Sequence, residues 1–265
     1  MPMKFLIELG VFPENEKVFA ETLTDMQIDH AFWDGQSNPP YDKKDNKVFF
    51  IGSIITALKI KQVGYAYQVW LGKEFDYSYF GSHLKDLLNS PFYLITHAQA
   101  LVAANQIVGA DRNIQDFVRS DSGYKKFQGD LYSVDMYLME SERKAIPKEE
   151  VMVFAEKRNI AQEYRLVVKC KYDEISDLWE YDIVTYAQYA GEDKPLTSLD
   201  VTGIISDLST STFHPYPLFI LDVCISEEKI KIVESNSINT SGYYVCDFRR
   251  IVDAVIDCVR SGEIL

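Results

Sequence analysis

The sequence contains no long hydrophobic run. None of its apolar stretches approaches the roughly 18 residues that a membrane-spanning helix requires. Near the N-terminus the apolar run is only a few residues long and ends at Pro13, next to acidic residues, which is typical of a first strand rather than of a signal peptide. We therefore expect a cytoplasmic protein without a membrane partner.

Cysteine is scarce, and its spacing argues against the common zinc sites. The chain has 4 cysteines, without a C-x-x-C pair and without a nearby histidine at zinc-ligand spacing. Because cysteine is among the residue types that are most often buried, we interpret all of them as reduced core thiols: Cys170, Cys224, Cys246 and Cys258.

Positive charge is also in short supply. The chain has 27 lysine and arginine residues against 40 aspartate and glutamate residues, a formal net charge of −13. A protein this acidic repels phosphate backbones unless its cations are concentrated on one face, so nucleic acid is not an expected partner. A bound nucleotide would need a local group of cations and a metal ion to offset the overall field.

Repeats and low-complexity segments are absent as well, and the remaining pattern is globular. At 265 residues the chain is longer than a typical single domain, which favours two cooperating units. Residues 1–98 are predicted to form a small α/β unit. Its predicted elements are strands at 4–9, 28–33 and 48–51, helices from Pro13 and from residue 52 to about Val63, and a last buried run at 92–95.

Residues 99–265 have a different texture, dominated by strands that are rich in Val, Ile and Tyr. The hydrophobic pattern predicts strands at 115–119, 131–138, 151–155, 163–171, 182–189, 218–226 and 229–236. A final helix is predicted at 247–261, because its apolar residues recur at helical spacing and Asp247 stands at the N-cap position. The predicted fold class of the whole chain is α/β (α+β).

The last two predicted strands carry oxygen ligands in apolar surroundings. Asp222 is the single carboxylate of the apolar run 219–225, where an unpaired charge is costly. Glu234 and Asn236 end the next strand, two residues apart and therefore on one face. Such hard oxygen ligands suit Mg²⁺. The alternative is an edge hairpin whose acidic side chains are solvated. Each of these residues, considered alone, favours this alternative.

A loop with small residues and three cations lies between residues 117 and 129. Its glycine and serine residues can leave backbone amides open to a phosphate, while Arg119 and Lys125 neutralise the phosphate charge. We expect the metal-ligand face to point toward these two cations across a cleft. The alternative is an ordinary basic turn, since such turns are common.

The connection between the two ligand strands decides whether the carboxylates can meet. A two-residue loop at 227–228 places Asp222 opposite Val233 and leaves Glu234 on the other face. A three-residue loop at 226–228 puts both carboxylates on one face as diagonal neighbours, and a one-residue bulge restores the same parity. We therefore predict that the three ligands share one face.

Together these motifs resemble the ATP-grasp superfamily, in particular its small stand-alone clade of predicted carboxylate-amine ligases from bacteria and phages. The similar segments are VRSDSG at 118–123, VMVFAEKRNI at 151–160, EYR at 163–165, and the two ligand strands followed by NTSG at 239–242. The similarity spans about residues 117–250 and extends more faintly to the N-terminal unit. Ser120 departs from the proline that usually follows the cation in this clade.

The resemblance implies an ATP-grasp fold with an N-terminal pre-ATP-grasp domain, 1–98, and an ATP-grasp domain, 99–265, whose antiparallel sheets form the nucleotide cleft. It implies ATP and Mg²⁺ as cofactors, and an ADP-forming ligase that joins a carboxylate to an amine through an acylphosphate. The implied catalytic residues are Arg165, Arg119 and Lys125, the last preferred to Lys126 because it fits the motif. The implied ATP-binding residues are Arg119, Lys125, Val153, Phe154, Ala155, Glu156 and Glu163. The implied metal ligands are Asp222, Glu234 and Asn236.

Two other functions are compatible with these motifs. One is a non-catalytic nucleotide-binding protein whose acidic surface engages a partner. Such a protein would be expected to lose the three predicted metal ligands, but they are intact in this sequence. The other is an ATP-dependent phosphotransferase that forms no amide. For the ligase we expect a small-molecule or peptide carboxylate and an amine as substrates. Their identity and the oligomeric state are not readable from the sequence.

Overall fold

A small parallel sheet opens the chain. The computed structural model describes residues 2–107, 112–191, 194–226 and 228–261. Its first elements are β1 (Lys4–Glu8), α1 (Pro13–Asp25), β2 (Asp29–Trp33), β3 (Val48–Ile51) and α2 (Ile54–Val63). The strands pair in the order β2-β1-β3, all parallel. The predicted α/β start is therefore confirmed, and the carboxyl ends of these strands lie at one edge of the sheet.

The second sheet is antiparallel and has the strand order β4-β7-β5-β6. Its region contains, in chain order, α3 (Tyr77–His83), β4 (Phe92–Thr96), α4 (His97–Gln106), β5 (Asp116–Ser120), β6 (Asp130–Tyr132), α5 (Val134–Arg143) and β7 (Val151–Glu156). The sequence pattern places the run at 92–95 in the N-terminal unit, but β4 pairs with β7, with Tyr93 opposite Phe154. Local pattern identifies such a buried strand but not its distant partner. The domain boundary after residue 98 stays a prediction.

The predicted strand at 131–138 is wrong in its larger part. Strand β6 ends at Tyr132, and α5 begins directly after Ser133. The Ser133 hydroxyl accepts a hydrogen bond from the Met136 amide, which is the arrangement of a helix N-cap. Most of the residues that follow are good helix formers, so the cap and the intrinsic propensity outweigh the short apolar alternation.

The third sheet is also antiparallel, with the order β11-β10-β8-β9. Its region contains β8 (Gln162–Asp173), β9 (Leu178–Gly191), α6 (Ser198–Thr210), β10 (Leu218–Ser226), β11 (Lys229–Ser237) and α7 (Phe248–Ser261). The pairs β8-β9 and β10-β11 are hairpins, and β8 also pairs with β10. The two central strands therefore place their side chains next to each other.

The last helix joins the third sheet to the N-terminal unit. Asp247 caps α7 by accepting a hydrogen bond from the Arg250 amide, as predicted. The apolar face of α7, with Ile251 and Val255, shares one buried cluster with Phe19 of α1 and Val167 of β8. All four cysteines are buried thiols, which confirms that prediction. None of the helices in the described ranges is long and apolar enough to cross a membrane.

Candidate functional site

A row of charged residues crosses the centre of the third sheet. Asp222 of β10 lies opposite Arg165 of β8 on one side and opposite Glu234 of β11 on the other. Asn236 follows Glu234 by two residues, so it projects from the same face of the sheet. The prediction that Asp222, Glu234 and Asn236 share one face is confirmed.

A bulge, not the loop, brings these residues onto one face. Of the two predicted alternatives the structure has the bulge and not the three-residue loop: Ser226 pairs with Lys229, so the connection has two residues, of which Glu227 lies outside the described residues. The register then shifts between Val223 and Asp222, which leaves Val233 as an extra residue on β11. As a result the two carboxylates are directly opposite each other rather than diagonal.

Asp222 is held by a two-pronged ion pair. Arg165 donates from Nε and Nη2 to the two carboxylate oxygens, at 2.8 and 2.6 Å. The Asn236 amide donates to Asp222 Oδ2 at 3.2 Å. Burial raises the pKa of Asp222 to about 6 even though Arg165 opposes this. Because Asp222 is only 1% exposed, its charge depends on these partners.

Glu234 meets cations that come from the second sheet. Arg119 of β5 donates to Oε2 at 2.5 Å, and Lys125 of the following loop donates to Oε1 at 3.1 Å. Burial works against ionisation of Glu234, but Lys125, Arg119 and the Asn236 amide together lower its pKa below the ordinary value. The carboxylates of one sheet therefore face the cations of the other, as predicted.

The structure distinguishes the two neighbouring lysines. Lys126 extends away from this row and pairs with Glu150 at 2.7 Å. Lys125 has a positive φ of 51°, a conformation that is uncommon for a non-glycine residue. In this backbone conformation the Lys125 side chain extends toward Glu234. Lys125, and not Lys126, therefore lies at the cluster, and its role in phosphate binding stays a prediction.

The loop amides are less open than the sequence indicated. The Gly123 amide donates to Asp76 Oδ1 at 2.8 Å, and the Tyr124 and Lys125 amides donate to Ser122. The expectation that these loop amides are open to a phosphate is therefore wrong for these three residues. The physical reason is that Asp76, directly before α3, supplies a competing carboxylate. A side chain on Gly123 would also collide with the Phe75 backbone.

A cavity of about 180 Å³ lies beside the charged row, between the second and third sheets. Three of the predicted ATP-binding residues line it: Ala155, Glu156 and Glu163. Val153 is fully buried, and the Phe154 side chain lines a separate cavity on the outer face of the second sheet. Only the backbone of these two residues is thus in a position to contribute. Larger open clefts by Trp179 and along α1 contain none of the predicted residues.

The cavity also has lining residues that the sequence did not reveal. Tyr77, in the first turn of α3, lines its wall and lies under the Arg119 guanidinium at 5.5 Å. Asn89 contributes a buried Oδ1 atom without a hydrogen-bond partner among the described residues. An unpaired buried acceptor is rare and calls for a ligand or water. Neither residue belongs to a motif, so only their distant contacts identify them.

Two further tyrosines flank Arg165. The rings of Tyr189 and Tyr244 stack with centroids 4.8 Å apart. The Arg165 guanidinium carbon lies 4.8 Å from the Tyr244 ring centre and 5.8 Å from that of Tyr189. The sequence carried no signal for them, because Tyr189 and Tyr244 lie far apart in the chain.

The donor set fits Mg²⁺ better than a transition metal. Within the described ranges no group of three or more His, Cys, Asp or Glu side chains is placed to hold a metal ion. Asp222 and Glu234 supply two carboxylates, and Mg²⁺ commonly takes one or two carboxylates with the rest from water and phosphate. Asn236 donates from Nδ2 to both carboxylates, so its amide must turn over before its oxygen can serve as a third ligand.

Comparison with solved structures identifies the fold. D-alanine-D-alanine ligase from Helicobacter pylori is similar over 97% of this chain and 98% of its own, with a TM-score of 0.60 and 11% sequence identity. A RimK domain ATP-grasp protein from Sphaerobacter thermophilus DSM 20745 is similar over 96% of both chains, with a TM-score of 0.57 and 13% identity. N5-carboxyaminoimidazole synthase from Aspergillus clavatus, in complex with ADP and 5-aminoimidazole ribonucleotide, is similar over 97% of this chain and 77% of its own, with a TM-score of 0.56 and 12% identity.

Comparisons at the sequence level add nothing to this. No protein-family model and no curated protein matches the chain. In each case the structural similarity extends over nearly the whole of this chain. The sequence identities are so low that the similarity shows a common fold and nothing more. This chain has the ATP-grasp fold.

Proposed function

We propose that this chain is an ATP- and Mg²⁺-dependent ligase that joins a carboxylate to an amine and releases ADP. A substrate carboxylate oxygen attacks the terminal phosphorus of ATP, and the bond from that phosphorus to ADP breaks. The amine nitrogen then attacks the acyl carbon, loses a proton to solvent and expels inorganic phosphate. The two sheets with the cavity between them support this proposal.

The observation that carries the proposal is the facing row of charges. Three cations, from the two sheets and from the loop after β5, converge on the buried carboxylate of Asp222 and the half-buried carboxylate of Glu234, next to a cavity: Arg119, Lys125 and Arg165. Phosphoryl transfer asks for little covalent chemistry from a protein and depends on positioning and charge neutralisation. No nucleophilic side chain is therefore required.

Each residue has a separate part in this proposal. Arg119 and Lys125 would bind phosphate oxygens, exchanging their bonds to Glu234 for bonds to the nucleotide. Arg165 would stabilise the charge that develops on the transferred group. Asp222 and Glu234 would hold Mg²⁺, which supplies electrostatic stabilisation and orientation for the terminal phosphates. The cavity with Asn89 and Glu163 would receive the base.

The first test is the metal dependence of nucleotide binding. Calorimetric titration with ADP should give binding in the presence of Mg²⁺ and a Kd at least about tenfold weaker in its absence, because an acidic protein must offset the phosphate charge at close range. Asp222→Asn should remove most of this dependence. Equal affinity with and without Mg²⁺ would contradict the assigned metal site.

A second measurement separates the ligase from the other two functions. The chain is incubated with Mg²⁺, ATP and mixtures of candidate acids and amines, and ADP release and products are followed by mass spectrometry. Amide product together with ADP supports the ligase. A phosphorylated product without amide would instead indicate a phosphotransferase, and nucleotide binding without any ADP release would indicate a binding protein.

A further inference from the structure

The turn that follows β11, residues 242–244, touches Arg165 in two ways. The Gly242 carbonyl accepts a hydrogen bond from Arg165 Nη1 at 2.7 Å. The Tyr244 ring lies 4.8 Å from the guanidinium carbon, within the range of a cation–π contact. The orientation of Arg165 therefore depends on this turn as well as on its ion pair with Asp222.

A single side chain of the N-terminal unit holds the turn. Asn15, in the first turn of α1, is 5% exposed. Its Oδ1 atom accepts from the Tyr243 amide at 3.0 Å, and its Nδ2 atom donates to the Tyr244 carbonyl at 2.9 Å. Both ends of the amide are thus used on neighbouring peptide groups of one turn.

The backbone of the turn needs such support. Tyr244 has φ of 51°, a left-handed conformation that bulky residues rarely adopt. Strained residues of this kind persist only when their surroundings over-determine them. Asn15 bonds the Tyr244 carbonyl on one side, and Tyr189 stacks on its ring on the other, with planes 9° apart.

We infer that Asn15 is a positioning residue for Arg165. It acts through Tyr244, and it makes the orientation of the guanidinium depend on the packing of α1 against the turn. The importance of this for the reaction rests on the proposed function of Arg165. The positioning itself is a property of the folded chain and can be measured without substrate.

The test follows the Arg165 side chain by NMR in protein labelled with ¹⁵N-arginine, with the Arg165 Nε–H signal assigned by its loss in Arg165→Lys. In the unchanged protein this proton should exchange slowly, because it is buried and bonded to Asp222. In Asn15→Leu we expect this proton to exchange at least about tenfold faster. Without Asn15 the contacts that protect the Arg165 side chain should open more often, and exchange takes place when they are open.

Gln68→Leu is the matched control. Gln68 is also a buried amide of the N-terminal region, 8% exposed, and it uses both ends of its amide, on Asn46 and Trp70. Loss of its bonds should reduce stability without faster exchange at Arg165. Equal exchange rates in the two variants, or an unprotected Arg165 in the unchanged protein, would overturn the inference.

A second pair of variants decides the matter if Asn15→Leu does not fold. Tyr244 is 38% exposed, so its replacement is less disruptive than that of a buried residue. Tyr244→Phe keeps the ring and should keep the slow exchange, whereas Tyr244→Ala should lose it. Slow exchange in Tyr244→Ala would contradict the proposed route. Titration of the same samples with Mg²⁺ and ADP tests the proposed function separately, because failure to bind ADP leaves the positioning result standing.

Discussion

At the scale of single residues, the site is built from pairs of opposite charge. Asp222 and Glu234 are both ion-pair partners, and Asp222 is fully buried, so breaking its pair by removing one member typically costs about 3–5 kcal/mol. Arg165 therefore has two roles, one in the stability of the fold and one proposed in the reaction. For a substitution of Arg165, both the stability of the protein and its turnover therefore have to be measured.

We expect Arg165→Ala to lower turnover by about 10²-fold or more and to change the Kd for Mg²⁺ and ADP by no more than about threefold, because its proposed partner is charge that develops during transfer. The measurement is steady-state ADP release with a substrate pair identified by mass spectrometry, together with calorimetry. Urea unfolding shows whether the variant still folds without the guanidinium beside Asp222.

Lys169→Met on the same strand is the control for this prediction. Within the described part of the chain the Lys169 ammonium pairs only with the exposed Asp257, at 3.7 Å, so both turnover and affinity should stay unchanged. If Arg165→Ala raised only the Michaelis constant and left turnover intact, Arg165 would have the role of a binding residue instead.

At the scale of elements, the site depends on irregularities in otherwise regular strands. The bulge at Val233 places Glu234 opposite Asp222, and the left-handed backbone at Lys125 accompanies its turn toward the same carboxylate. Bulges are common next to functional sites because they re-aim side chains. The loop between β5 and β6 therefore supplies one cation to the row and directs the next one elsewhere.

This arrangement predicts different effects for two adjacent lysines. Lys125→Ala should weaken the binding of Mg²⁺ and a non-hydrolysable ATP analogue by about tenfold, since it removes one charge-assisted bond worth about 1.4 kcal/mol. Lys126→Ala should leave the Kd within about twofold, because Lys126 pairs with Glu150 instead. Calorimetry on both variants is the measurement, and equal effects would mean that the loop adopts another register.

At the scale of the whole molecule, the N-terminal unit and the third sheet form one packed body. Asn239, just beyond β11, accepts from the Trp70 amide and donates to the carbonyls of Phe50 and Gln68, all within 3.0 Å. Its amide is thus occupied in tying the end of the ligand strand to the N-terminal sheet. These ties and α7 hold the third sheet, which forms one wall of the cavity, against the N-terminal unit.

The stability of the chain should fall in mild acid in part because of His97. This histidine is buried next to Tyr137, and burial lowers its pKa in the folded protein below the ordinary 6.5. The unfolded chain therefore takes up the proton first as the pH falls, so the contribution to stability is complete above about pH 6.5 and is lost progressively below it. The slope is at most about 1.4 kcal/mol per pH unit for one proton.

Urea unfolding between pH 5 and 8 checks this, with His97→Gln as the comparison. The difference between the two proteins isolates the contribution of His97 from that of other groups, such as His214, whose pKa burial also lowers. We expect a shallower pH dependence for the variant. An identical dependence would mean that His97 is accessible to protons in the folded state.

Most of the elements and the main charged row were predictable because they follow from local periodicity. The sequence indicated α7, the α/β start and the ligand strands, together with the six charged or polar residues Arg119, Lys125, Arg165, Asp222, Glu234 and Asn236. It missed α5, because Ser133 as a cap and an apolar alternation compete over the same few residues. The roles of these residues in binding and catalysis stay predictions.

The sequence by itself determined what depends on neighbours along the chain: buried thiols, amphipathic helices, and the alternation that puts Glu234 and Asn236 on one face. Only the tertiary structure decided that β4 pairs with β7, that a bulge aligns the carboxylates, and that Asn15 holds a turn 229 residues away. The physical reason is that such contacts join elements through packing. Local side-chain pattern is the same whether or not a distant partner is present.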